Sequence, residues 1–220
     1  MATKKEAAPL RGAKLIKKAI ESAKASGVVA SPDPVSSSLV KKLRLPNDEP
    51  LTPGMKELLA FDGSWLRMDY DEDEAEIEPM SLEEVVEEHF GEEAVPAFGE
   101  AIELLSEDCV FFGVELDRRA CLYLGTTDDA GEYPVLSLSW KDDVARIGGF
   151  VPFDVWAAQE LGGLERGKEI GEVPAEYEEL PKELAESNGD GRISFTPKAG
   201  SAEDRDEDEE EDEEEEDSDR

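Results

Sequence analysis

The apolar positions of this chain follow two periods. Between residues 51 and 105 they recur at helical spacing, and between 110 and 140 they alternate, so helices lead into a sheet. Thr52-Pro53 is a helix start, because threonine caps free amides and proline's missing N–H costs nothing at the first helical position. Met55, Leu58, Leu59 and Phe61 supply the buried stripe of that helix, and Gly63 ends it. Ser81 caps a second helix with Glu84 in capping-box spacing, and Leu82, Val85, Val86 and Phe90 are its apolar positions. Phe98, Ile102 and Leu105 predict a third helix over 95–105. Val110, Phe112, Val114 and Leu116 then alternate with other residues, Asp117-Arg118-Arg119 turns into a strand over 120–125, and residues 128–131 turn into a strand over 133–140. The expectation is a three-stranded antiparallel meander, and apolar centres such as CLYLG predict that helices cover it. A loop through Gly148-Gly149 leads to a helix over 153–161 with Val155, Trp156 and Leu161 in the core, closed by Gly162-Gly163. The fold class read from this order is α+β, an antiparallel sheet flanked by helices.

The ends read differently. Leu15, Ile16, Ala19, Ile20 and Ala23 recur at helical spacing among lysines, but this face is largely alanine, so residues 1–38 are expected to be a marginal basic helix followed by a Pro/Ser linker over 26–38. The domain is expected over residues 39–186, a turn and short extension over 187–202, and a disordered acidic tail over 203–220. Net charge is −34: the tail carries −13, residues 1–50 carry +5, and residues 51–202 carry −26. Acidity on that scale repels nucleic acid and anionic lipid and attracts cationic surfaces within about 10 Å at physiological salt.

Candidate chemistry is sparse. Cys109 and Cys121 are too few for a disulfide scaffold or a four-cysteine zinc site. A hairpin through 117–119 would set them far out of register, so both read as reduced, buried thiols. His89 has neither a cysteine nor a second histidine to share a metal, and no glycine-rich phosphate loop precedes a helix. Residues 186–193 carry oxygen ligands and glycine in the order of a calcium loop, yet Pro197 stands where a bidentate glutamate belongs, so the segment reads as a helix-ending turn into a short strand over 193–195. No apolar run is long enough to span a membrane, and no secretory h-region opens the chain; a cytoplasmic protein without cofactors is expected. The remaining candidate is the acidic stretch over 69–78, DYDEDEAEIE, which follows Trp65.

Three segments resemble the SUKH superfamily, the Smi/Knr-like domains. LTPGMKELLAFDGSWL is similar to the family's proline-led first helix, although Asp62-Gly63-Ser64 stands where the family has Asn-Gly-Gly. CVFFGVELDRRACLYLGTTDDAGEYPVLSLSW resembles its sheet core, with Gly113 at the family's glycine and Asp117 at its polar turn, and VARIGGFVPFDVWAAQEL resembles its closing helix, with Phe153 at the aromatic position. The resemblance spans roughly residues 45–161 and implies an α+β fold and, as for most bacterial members, a non-enzymatic immunity protein that binds and neutralises a toxin. On this reading the partner is a basic toxin domain, not nucleic acid or membrane. Trp65, Asp69, Tyr70, Asp71, Asp73, Glu74 and Glu76 form the contact surface, the aromatics anchoring and the acids steering. The alternative is an acidic scaffold or chaperone for basic, for example nucleic-acid-binding, proteins.

Overall fold

The computed structural model describes residues 10–27, 31–63, 70–71, 75–77, 81–99, 101–105, 109–112, 119–141, 144–165, 174–187 and 192–193. Four strands form an antiparallel meander in the order β3 (Cys109–Phe112), β4 (Arg119–Tyr123), β5 (Pro134–Lys141) and β6 (Val144–Pro152). A short β7 (Arg192–Ile193) adds to β6 in parallel, so part of the expected 187–202 extension belongs to the sheet. Two short strands, β1 (Tyr70–Asp71) and β2 (Glu76–Ile77), form a separate hairpin.

Both faces of the large sheet are covered, as the apolar strand centres require. Val110, Ala120, Leu122, Leu124, Val135 and Val151 share a core with α1 (Ala13–Ser26), α3 (Pro53–Phe61) and α7 (Phe153–Glu160). Cys109, Cys121, Leu136, Leu138, Ala145, Ile147 and Phe150 share the opposite core with α4 (Leu82–Phe90), α5 (Val95–Phe98), α6 (Ala101–Leu105) and α8 (Glu179–Ser187). Helix α7 is buried at every position from Phe153 to Gln159, packed between α1, α3 and strands β5 and β6. A helix in that position has no solvent face to mark with polar residues.

Four expectations change. The loop expected at Gly148-Gly149 lies inside β6: Leu136 pairs with Gly149 and Val135 with Val151, leaving Phe150 as the extra residue of a β-bulge. Gly149 has φ 100° and Phe150 φ 48°, and the bulge switches the strand's alternation so that Phe150 and Val151 both enter cores. The third helix breaks at Gly99, φ 52°, into α5 and α6. In the first hairpin Phe112 faces Ala120 and Phe111 faces Cys121, four residues away from the register expected from a tight 117–119 turn. Cys109 and Cys121 therefore come together on one sheet face, both free and fully buried, and burial, followed by contact with Cys109, pushes the Cys121 thiol up.

The N-terminal segment is the fourth. Leu15, Ile16, Ala19, Ile20 and Ala23 are buried in the α3–α7 core, so α1 belongs to the domain that was expected to begin at residue 39. Burying Leu15, Ile16 and Ile20 alone contributes on the order of 5 kcal/mol, comparable with the net stability of a whole domain. The alanine face allows close approach: a Cβ at Gly163, just beyond α7, would lie 2.7 Å from both Cα and Cβ of Ala19. The Pro/Ser stretch is tied to α3, with the Val35 amide donating to Leu59 and the Gly63 amide to Asp33, while Ser36 caps the single turn α2 (Ser37–Val40).

Candidate functional site

The acidic stretch is built into the hairpin β1–β2. Tyr70 pairs with Ile77 and Asp71 with Glu76, and Ala75 turns the chain at φ 60°. The Arg44 amide donates to the Ala75 carbonyl and the Ile77 amide to the Arg44 carbonyl, both at 3.0 Å, while Leu43, Leu45 and Ile77 are buried. The hairpin is thus fastened to the core along one edge, and Glu76 stays exposed beside the exposed Arg44. Two acids, Asp71 and Glu76, thus occupy directly paired positions of the two strands. Of the contact residues expected from the sequence, Trp65, Asp69, Asp73 and Glu74 lie outside the described residues; Tyr70 and Asp71 are placed by their backbone, and Glu76 by its exposed side chain.

Acidity continues along the chain on α4, where the expected capping box forms. Glu84 accepts from the Ser81 amide at 2.9 Å and its hydroxyl at 2.8 Å, bonds that hold its carboxyl below the usual range. Leu82, Val85 and Val86 face the core, so Glu83, Glu84, Glu87 and Glu88 face solvent, followed by exposed Glu92 and Glu93. His89 is half-buried in the last turn of α4. Among the described residues no group of three or more His, Cys, Asp or Glu is arranged to hold a metal ion, and no helix is long and apolar enough to cross a membrane.

A second constellation was not anticipated. The N-termini of α1, α3 and α7 converge, and three buried carboxylates sit where they meet: Asp128 and Glu132 from the turn before β5, and Asp154 from the first turn of α7. Arg11 grips Asp154 with a fork, Nε to Oδ2 at 2.9 Å and Nη2 to Oδ1 at 3.0 Å, and its Nη2 also bonds Asp128. Asp154 accepts from the Gly12 amide and so caps α1, whose own N-cap glycine has no side chain to do it. Glu132 Oε1 accepts from the Gly54 amide at 2.8 Å in the first turn of α3. The turn itself is an Asx turn, with Asp128 Oδ1 accepting from the amides of Ala130 and Glu132, and the Tyr177 hydroxyl closes the cluster by donating to the Glu132 carbonyl at 2.6 Å.

Charges in this cluster do not cancel. Burial and two carboxylate partners act on Arg11 in opposite directions, and its guanidinium ends with its proton held more firmly than usual. Burial pushes the Glu132 carboxyl up to about 7; Asp154 and Asp128 push the same way, while the Thr52 hydroxyl and Gly54 amide favour the charged form. Burial also raises the Tyr177 hydroxyl. Its guanidinium bonds both aspartates, so the cluster clamps α1 to α7 and to the turn before β5. A sequence signal existed: Asp154 is a lone acid in an otherwise apolar helix start, FDVWAA, which requires a buried cationic or amide partner. No protein-family model, curated protein or solved structure matches this chain.

Proposed function

We propose that this chain is a non-enzymatic, cytoplasmic binding protein of the immunity type, which occludes a basic surface on a toxin through its acidic hairpin. The observation that carries this reading is the hairpin itself: an acidic ribbon fastened to the core through Arg44 and Ile77, with Glu76 exposed and Asp71 opposite it. A ribbon held in this way loses little conformational freedom on binding, which lowers the cost of association. The net charge of −34 steers a cationic partner and disfavours nucleic acid. Further support is the SUKH-like order of elements, a proline-led helix, an antiparallel sheet and a closing helix.

The test is co-expression rescue against candidate toxins, followed by affinity measurement at low and high salt. Reversing Asp71 and Asp73 to lysine is expected to weaken binding at least tenfold at low salt and to flatten its salt dependence. Unchanged affinity and unchanged salt dependence would remove the hairpin from the interface. Capture of a spread of basic proteins, abolished by deleting residues 203–220, would support the scaffold or chaperone role instead.

A further inference from the structure

The carboxylate cluster holds more acid than its cation can neutralise. Arg11 reaches Asp128 and Asp154 but makes no bond to Glu132, whose side chain is fully buried and whose Oε2 makes no hydrogen bond. If all three carboxylates were ionised, the cluster would hold two uncompensated negative charges in a site shielded from water, and burial makes such charges costly. The acid without the guanidinium is the one to carry a proton. Burial, Asp128 on its own turn and Asp154 on α7 favour the neutral carboxyl, outweighing the Thr52 hydroxyl and Gly54 amide, while Tyr177 is a neutral phenol and Arg11 is committed to the aspartates.

Glu132 is also a hinge point. Its Oε1 bonds the first turn of α3, its amide closes the Asx turn, and its carbonyl receives Tyr177, while Oε1 lies 3.6 Å from where a Cβ on Gly12 would be. An open groove of about 490 Å³, lined by Leu10, Arg11, Lys14, Pro53 and Ala130 among others, runs over the N-termini of α1 and α3 and brings solvent to the part-exposed Arg11 at the edge of the cluster. We propose that Glu132 is a proton switch: protonated, it lets the N-termini of α1 and α3 seat together on α7, and on losing the proton it forces that junction to open locally. This regulation is independent of what the acidic hairpin binds.

The experiment is a pH titration of the full chain by NMR. The Glu132 carboxyl carbon is expected to titrate with a midpoint near 7, and the Gly54 amide resonance to follow the same midpoint. Hydrogen-exchange protection at Gly12 and Gly54, corrected for the intrinsic pH dependence of exchange, is expected to fall about tenfold between pH 6 and pH 8 if opening restores an ordinary carboxyl. Glu132→Gln is expected to abolish the amide titration and the pH-dependent part of the opening. A carboxyl midpoint near the ordinary value for glutamate, or protection that does not change with pH, would overturn the proposal; the carboxyl reading needs no variant, so it decides even if Glu132→Gln misfolds.

Discussion

Replacing Arg11 by alanine deletes the only cation bonded to Asp128 and Asp154 among the described residues. The cost follows from where the charges sit. Deleting one partner of a buried pair costs about 3–5 kcal/mol, whereas an exposed pair is worth about 0–1 kcal/mol. The aspartate side chains are 2% and 0% exposed but Arg11 is 30% exposed, so solvent screens one end only. That places the expected loss near the bottom of the buried range, about 3 kcal/mol, a shift of about 1–3 M in the urea midpoint for ordinary m-values. Unfolding followed by tryptophan fluorescence measures it, with Trp156 in the same helix as Asp154 as the reporter. Arg11→Met keeps the apolar stem while removing the charge and the fork, and is expected to lose nearly as much; Arg11→Lys keeps the charge without the bidentate geometry and is expected to fall between. A double-mutant cycle with Asp154→Asn is expected to give a coupling above about 1 kcal/mol. A loss below 1 kcal/mol for Arg11→Ala would show that the contact behaves as a surface pair and that the junction is held by α1 packing alone.

Two further predictions concern the same junction from other sides. Because the folded carboxyl of Glu132 is raised to about 7 from 4.5, its stabilising contribution is complete below the unfolded value and is lost as pH rises through 7, so Glu132→Gln is expected to match the parent protein near pH 4 and to exceed it by about 3 kcal/mol at pH 8; a variant less stable at pH 8 would sink this. Gly163→Ala would place a Cβ 2.7 Å from the Ala19 backbone and is expected to cost about 1–3 kcal/mol, a fall of about 3–10 °C in the thermal midpoint by circular dichroism, while an unchanged midpoint would deny the close approach.

Local signals carried the helices well. Thr52 caps α3 by accepting from the Met55 amide, and the Ser81–Glu84 box forms as its spacing demands, because capping is decided within a few residues. Strand β6 was hidden for a physical reason: this bulge holds Gly149 and Phe150 at positive φ, and the glycines that supply such a bend are the same residues that mark loops. Helix α1 looked marginal because its apolar face is alanine-rich, yet small side chains are what let a neighbouring backbone come within contact distance. The ion cluster was legible only at Asp154, a lone acid in an apolar helix start; Arg11, Asp128 and Tyr177 are ordinary charged or aromatic residues until the fold brings them together. For the acidic hairpin, the sequence located the charge, whereas the fastening at Arg44 and Ile77 depends on pairing with a segment some 30 residues earlier.

The clamp between Arg11 and Asp154 joins residues 143 positions apart. During synthesis at about 5–20 residues per second, the N-terminal helix leaves the ribosome on the order of 10 s before the helix that receives it exists. Throughout that interval Leu15, Ile16 and Ile20 lack the α7 side of the core they enter, and Lys14, Lys17 and Lys18 lie among them. The domain therefore closes late, when the C-terminal half delivers α7 and Tyr177, and a chain halted before that point presents a basic amphipathic helix to whatever acidic or apolar surface lies nearby.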